Sequence, residues 1–415
     1  LSAEKEKKRK GTESVASPLK EEKRESLNSS LCKWSLLQSL QRYKSNETDF
    51  ANLSRFTREE AWKNENDLVV LREETTNQNH GARPADRPLN EYLRYGFIAL
   101  DKPQGPTSHE VVSWVRKMFN QERAGHSGTL DPLVSGVLPI GLGEGTKALS
   151  ALLLGPKEYV AVARIHDSVP VEILNRTLGE FVGPIFQRPP QRSSVKRVTR
   201  TRVIYEQELL QQVGNILLLR VLCEAGTYIR KLIYDIGEVI VVGATMAELR
   251  RTRVCHIFEG ELVRLHDLYE ANEVFKESGD ESKLRNLVRP IEDSVSFLKQ
   301  VKIRDSAVES ICQGAQLAVP GVLSFSRGLM KGDVVRIMSQ KGELVAIGES
   351  KMDGSELSSS EHGIVTITRR VIMQPGTYPK MWKSKKEEVG TSDVSEELLK
   401  KSVLDTLEER EDAEV

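Results

Sequence analysis

No run of about 18 consecutive apolar residues occurs in this 415-residue chain, so nothing in it reads as a membrane-spanning helix. The opening residues, LSAEKEKKRKG, are charged and lack an apolar core, which argues against a secretory signal; Leu1 in place of methionine points to a processed or truncated start. Cysteine is scarce. Cys32, Cys223, Cys255 and Cys312 lie far apart, with no CxxC pair and no His–Cys cluster. That spacing argues against zinc and makes reduced, mostly buried thiols in an intracellular protein the expectation. Net charge is also missing, at +0, but its distribution is uneven. Residues 187–204 hold Arg188, Arg192, Lys196, Arg197, Arg200 and Arg202 and no acid, whereas 383–415 carries 11 acids against 6 bases. A neutral whole therefore does not exclude a polyanionic partner, which responds to local potential.

What the chain does contain suits a soluble globular protein with some poorly folded sequence: 39% hydrophobic and 29% charged residues. Residues 1–86 are polar and weakly periodic, and are expected to form a mostly disordered extension with one short amphipathic helix at 31–43. The KEKKRK run within it suits solvated charge as well as targeting or RNA contact. From residue 89 the texture changes. The run 96–100, GFIAL, predicts a buried strand, followed by a turn through Lys102, Pro103 and Gly105. Thr107 or Ser108 can cap a helix whose apolar face uses Val111, Val112, Val115, Met118 and Phe119. Strands are expected at 137–142, 158–166, 202–209 and 215–224, with helices at 146–154 and 227–240. No regular βαβ rhythm appears, which predicts an α+β fold with a largely antiparallel sheet. A second unit begins near residue 301, strand-rich and punctuated by glycines, as expected of a small β-barrel.

One stretch carries most of the chemical information. Residues 125–136 read GHSGTLDPLVSG, with Asp131 boxed in by Gly125, Gly128, Pro132 and Gly136. Glycine admits unusual backbone angles and close approach, and proline fixes φ just after the acid. The arrangement suits a rigid loop presenting one carboxylate to a ligand. Taken alone, Thr-Leu-Asp-Pro also fits a surface turn whose aspartate caps nearby backbone.

Four stretches of the first unit occur together: ALDKPQGPTS (99–108), GHSGTLDPLVSG (125–136), KEYVA (157–161) and EAGTYIRKLI (224–233). With them the chain resembles the TruB-type RNA pseudouridine synthases, in the archaeal and eukaryotic branch that includes dyskerin. GAQLAVPGV (314–322) and KGDVVRIM (331–338) resemble that branch's RNA-binding PUA domain. The resemblance implies a pseudouridine synthase catalytic domain over 87–297, mainly antiparallel, a small β-barrel PUA domain over 298–382, and a disordered acidic tail over 383–415. It implies RNA-uridine isomerisation with no cofactor and no metal.

Under that resemblance Asp131 is the catalytic acid and Arg230, from GTYIR, its partner, holding a partly buried carboxylate ionised. Tyr159 resembles the tyrosine that stacks on the flipped base, although a tyrosine on an alternating strand is by itself ordinary core. His126 resembles a residue whose flat ring fills the stack vacated by the extruded nucleotide. Lys102 matches a Lys-Pro loop that supports the catalytic floor, with phosphate contact as the lesser role. Arg250 falls in a Leu-Arg-Arg box near the pocket, and Arg188, Lys196 and Arg197 belong to the basic stretch expected to touch phosphate. After Arg253, relatives usually continue with Ser-Gly and an aromatic, whereas this chain has Val254-Cys255-His256-Ile257. The implied partners are tRNA, or box H/ACA guide RNA with rRNA and small core proteins. The location is cytoplasmic on an archaeal-type reading of residues 236–251 and nucleolar for a eukaryote. The competing reading is a non-catalytic RNA scaffold with the same fold. A glycoside hydrolase would need two carboxylates flanking the bond, and this motif offers one.

Overall fold

In a computed structural model, which describes residues 67–189 and 198–380, the apolar runs of the chain assemble into two sheets. The strands in chain order are β1 (Leu68–Val70), β2 (Gly96–Lys102), β3 (Ala124–His126), β4 (Ser135–Leu142), β5 (Lys157–Ile165) and β6 (Gly183–Gln187). They continue with β7 (Arg200–Val213), β8 (Ile216–Cys223), β9 (Ala244–Val254), β10 (Ile257–Phe258), β11 (Arg289–Pro290) and β12 (Lys299–Ile303). Last come β13 (Leu317–Ala318), β14 (Val322–Ser326), β15 (Val334–Met338), β16 (Leu344–Ser350) and β17 (Ile364–Val371). The ten-stranded sheet runs β11-β2-β4-β9-β5-β8-β7-β6, with β3 beside β4 and β10 beside β9; the seven-stranded sheet runs β1-β14-β12-β15-β16-β17-β13. Pairing is antiparallel except between β4 and β9 and between β12 and β15. The architecture is α+β, with one large, mainly antiparallel sheet and a second small β unit.

Helices cover the large sheet where their apolar spacing permits. Helix Ser108–Met118 opens with a capping box: Thr107 accepts from the Glu110 amide, and Glu110 accepts from the Thr107 amide at 2.7 Å. Its Val111 and Val115 pack on Ile98, Leu100, Leu138 and Ile140 of β2 and β4. Helix Ile229–Val239 buries Ile229, Leu232, Ile233 and Ile236 against Ala161, Ala163, Leu219 and Val221 of β5 and β8. Each such side chain is worth about 1.5–3 kcal/mol, so this face outweighs a cap worth about 1 kcal/mol. The helix expected over 146–154 is divided into a tight 3-10 turn, Gly143–Ala148, and a short helix, Leu149–Leu154.

The expectation that residues 1–86 stand apart from the folded units is corrected for 67–86. Strand β1 pairs with β14, Arg72 donates to the Val319 carbonyl at 3.1 Å, and Asp305 accepts from Thr76 and from the Asn77 amide, each at 2.9 Å. A three-residue strand fixed by partners more than 200 residues away leaves no periodicity to read. Residues 1–66, with KEKKRK and the helix expected at 31–43, and the acidic tail lie outside the described residues.

The two units share a core. Phe97, Val137, Ile257 and Phe297 pack with Met338, Leu344, Ile347 and Ile372 in one cluster. Beside it the buried Arg87 donates twice to Glu292, at 3.2 and 2.8 Å, and Glu292 also accepts the Leu344 amide at 2.9 Å. The Val254–Ile257 departure lies at this junction. Cys255 sits at φ 53, the left-handed region where glycine alone is unstrained, with its Sγ against Gly155. His256 stacks on Phe297 with ring centroids 5.3 Å apart, and its Nε2 lies 2.8 Å from the Asp293 carbonyl. Burial pushes its pKa down to about 4. The described cysteines, Cys223, Cys255 and Cys312, are buried free thiols.

Candidate active site

Asp131 stands between two apolar anchors, Leu130 and Val134, both buried in the core under β5, β8 and β9. Gly128 and Gly136, at φ 83 and 101, supply the left-handed turns on either side. The loop is held from beneath by its backbone. Ser108 Oγ donates to the Leu130 carbonyl at 3.0 Å and accepts its amide at 2.9 Å. Lys102, fully buried, donates to the carbonyls of Pro103, Pro132 and Val134 at 2.9, 3.1 and 2.9 Å. Arg251, 1% exposed, donates through Nε to Val137 at 2.8 Å and through Nη2 to Gly128 at 3.0 Å.

Arg230 reaches Asp131 at 3.0 Å, and both side chains are 58% exposed. The expected partly buried carboxylate is thus corrected: within the described chain the pair faces solvent. An exposed pair contributes about 0–1 kcal/mol, whereas a charge-assisted buried hydrogen bond contributes about 1.5–3 kcal/mol. The cations beneath the loop, not Arg230, therefore hold it in place. Arg230 is itself well seated. It occupies the first turn of Ile229–Val239, and the preceding Tyr228 exchanges two hydrogen bonds with the buried Gln187 side chain, at 3.1 and 2.9 Å.

Tyr159 lies on β5, opposite Val221 of β8 and Arg251 of β9, half-buried against the same core as Leu130. Burial pushes its phenol up, the Arg251 guanidinium pulls the other way, and the charge of Asp131 is felt there. The strand is anchored by Lys157, whose ammonium donates to the carbonyls of Leu152, Leu153 and Gly155 at the end of helix Leu149–Leu154. His126 lies on β3 with its ring 5.1 Å from that of His109. Burial, then His109, then Arg251 lower its pKa to about 4, so it is a neutral ring at ordinary pH.

Asp131, Arg230 and Tyr159 thus come together, although Asp131 and Arg230 are 99 positions apart. Lys102 and Arg250 are both engaged within the chain. The Lys102 ammonium is enclosed by three carbonyls, so it serves the loop rather than phosphate. Arg250 grips Asp101 through both terminal nitrogens, at 2.9 and 3.2 Å, and Glu259 at 2.9 Å. Successive strand residues face opposite ways, so in β9 it is Arg251, sharing a face with the buried Leu249, that enters the site. Gln187 and Ser108 were not anticipated as site residues; Arg251 belongs to the same Leu-Arg-Arg box as Arg250, and the apolar Leu249 two positions earlier was the signal that it, rather than Arg250, faces inward. Arg188 is exposed just past β6, while Lys196 and Arg197 lie outside the described residues. Arg202 faces Glu224 at 3.7 Å, so the stretch is less free of acid in space than in sequence. Among the described residues no three His, Cys, Asp or Glu side chains gather as metal ligands, and no helix is long and apolar enough to cross a membrane.

Four family models match in succession. They are the DKCLD (NUC011) domain over 59–112, the N-terminal domain of TruB family pseudouridylate synthase over 116–229, the tRNA pseudouridylate synthase B C-terminal domain over 230–296, and the PUA domain over 299–372. A probable tRNA pseudouridine synthase B of Methanopyrus kandleri is 49% identical over 316 residues, covering 76% of this chain and 94% of the relative. One of the same name from Pyrobaculum arsenaticum is 50% identical over 317 residues, covering 76% and 96%. Among solved structures, a chain of an H/ACA RNP bound to a substrate RNA containing 2'-deoxyuridine superposes with a TM-score of 0.70 at 44% identity, covering 76% of this chain and 97% of that one. A chain of a Cbf5-Nop10-Gar1 complex does so with a TM-score of 0.71 at 46% identity, covering 76% and 96%. The glycine-flanked carboxylate and its arginine therefore sit in a stretch, 76% of this chain, that matches such relatives over 94–96% of their own length, and the chain belongs to the TruB family of pseudouridylate synthases.

Proposed function

We propose that the protein isomerises uridine to pseudouridine within RNA, with Asp131 as the catalytic carboxylate, Arg230 as its ionic partner and Tyr159 against the flipped base. The observation that carries this reading is the Asp131–Arg230 pair, 3.0 Å apart on a loop held by buried cations. The reaction breaks the bond from C1′ to N1 of uracil and joins C1′ to C5, while a hydrogen leaves C5 and one arrives on N1. No group donor or redox partner enters that balance. It calls for one carboxylate at the sugar or base, and the place where a hydrolase would carry its second acid is taken by Arg230.

His126 supports the same reading. Extruding a base costs a few kcal/mol, and a neutral ring can stack in the gap without desolvating a charge. Arg188, Lys196 and Arg197 would meet the phosphates, a contribution that weakens with salt. The RNA is tRNA at its T-loop uridine, rRNA selected by box H/ACA guide RNA, or both. The guided reaction would proceed with small H/ACA core proteins. The names of the relatives and of the superposed complexes support both substrates.

The test maps pseudouridine after incubating the purified protein with unmodified tRNA and, separately, with guide RNA, core proteins and an rRNA fragment. Product in either, lost on Asp131→Asn, is expected. Undiminished product from Asp131→Asn overturns the mechanism, and no product in any assembly leaves the scaffold reading in its place.

A further inference from the structure

Arg230 pairs with Asp131, but among the described residues its guanidinium makes no other hydrogen bond or ion pair. Where that guanidinium goes therefore depends on the backbone that carries it, two residues into helix Ile229–Val239. The start of this helix is unusual. Helix entries are ordinarily fixed by Ser, Thr, Asn or Asp at the cap position. Here the cap is Tyr228, which makes no side-chain cap bond, and the first turn carries no acid. The cap residue is instead held from outside, by Gln187 at the end of β6, 41 positions earlier in the chain.

Gln187 is 2% exposed, and its amide bonds Tyr228 twice: Nε2 donates to the Tyr228 carbonyl at 3.1 Å, and Oε1 accepts the Tyr228 amide at 2.9 Å. A primary amide offers a donor and an acceptor side by side, so it meets one residue's N–H and C=O as a paired residue in an antiparallel ladder does. The rest of the turn is held without it. The Glu224 amide donates to the Val203 carbonyl at 2.8 Å, the Glu224 carboxylate accepts the Val203 amide at 3.0 Å, and Thr227 donates to the Glu224 carbonyl at 2.7 Å. Behind the first turn, the apolar face of the helix is buried in the core. Gln187 thus governs one short link, between a fixed turn and a fixed helix, and Arg230 stands on it. We propose that Gln187 is a positioning residue of the reaction: by clamping the N–H and C=O of Tyr228 it sets the first turn so that Arg230 leaves the helix aimed at Asp131. The inference rests on the reading of Arg230 as the ionic partner of the catalytic carboxylate.

The full-length protein tests it with Gln187→Met and Gln187→Glu, each in wild-type and Arg230→Met backgrounds, under single-turnover conditions with enzyme in excess. Gln187→Met is expected to slow conversion by about 10-fold with RNA affinity within about threefold, and to add less than about threefold once Arg230 is Met. Equal losses in both backgrounds overturn the proposal. In Gln187→Glu an ionised carboxylate cannot donate to the Tyr228 carbonyl, whereas a protonated one donates and accepts as the amide does. Its rate relative to wild type is expected to rise as pH falls from about 8 to about 5.5, and a ratio that stays low throughout overturns the proposal. A further measurement is independent of activity: in a crystal structure of Gln187→Met the Arg230–Asp131 pair, 3.0 Å apart in the native chain, opens beyond about 4 Å. A pair that stays closed overturns the proposal even where rates fall. If Gln187→Met does not fold, Gln187→Glu at about pH 8 carries the same cycle and crystal structure. Wild-type protein that modifies no RNA would defeat the proposed function, and the crystal structure would then decide the link from Gln187 to Arg230 alone.

Discussion

Gly136 and Arg251 are cross-strand neighbours in the parallel pairing of β4 with β9, so close that any side chain on Gly136 would collide with the Arg251 carbonyl. Gly136 also holds φ 101, closed to other residues without strain. Gly136→Ala should therefore destabilise the protein by about 2–4 kcal/mol, by forced contact and by backbone strain together. Urea unfolding measures this; a loss below 1 kcal/mol would mean that the two strands part without penalty.

Asp131→Asn should separate activity from stability. The carboxylate is solvent-exposed and its pair with Arg230 contributes about 0–1 kcal/mol, so the melting transition should move little. Conversion of uridine should fall by a factor on the order of a thousand or more, as expected when the reacting group itself is removed. Arg230→Met, with the acid left but undirected, should lie between, with a loss of about 10- to 100-fold.

Lys102→Met reverses that pattern. It leaves three carbonyls in a buried site without their donor, at about 1–3 kcal/mol for the least well compensated of them. The protein should be measurably less stable, and the Asp131 loop should exchange its amides faster with solvent. Faster exchange confined to 127–134 is the diagnostic result; unchanged exchange there would show that Ser108 and Arg251 suffice.

Acid should weaken the fold through two half-buried histidines. His126 and His256 are held near pKa 4, against an ordinary value of 6.5. Between these values the unfolded chain binds protons that the folded chain refuses, so stability falls as pH drops from about 6.5 toward 4. The full shift corresponds to at most about 3 kcal/mol per histidine. His256→Phe, which keeps the stack on Phe297, should lose one contact to the Asp293 carbonyl at neutral pH and flatten the decline below pH 6.5. Parallel curves for the two proteins across that window would exclude His256 as a source of the decline.

How much of this was legible depended on how local the cause is. The helix Ser108–Met118 was readable because Thr107, Glu110 and the spacing of Val111 and Val115 act within a few residues. Strand β8, expected over 215–224 and found at Ile216–Cys223, was readable because alternation is a local property. The Asp131–Arg230 pair follows from no local rule and was expected only through the family resemblance. The supporting role of Lys102 was expected only through the resemblance, because a lysine is normally solvated and its burial depends on three carbonyls converging from two loops. Arg250 was preferred to Arg251 although a strand must turn one of them away, and only the pairing of β9 with β5 decides which. Cys255 shows that the departure from the family pattern falls on a left-handed turn, where the chain accepts strain that glycine would relieve.

The loop carrying Asp131 is gripped by its main chain, through Ser108, Lys102 and Arg251, while the carboxylate itself has only the exposed Arg230. Seat and partner are thus separable. Arg230 can leave the acid at a cost of about 1 kcal/mol, and the carboxylate stays where it was. An acid mounted this way can change partners during a reaction without waiting for any rearrangement of the fold beneath it.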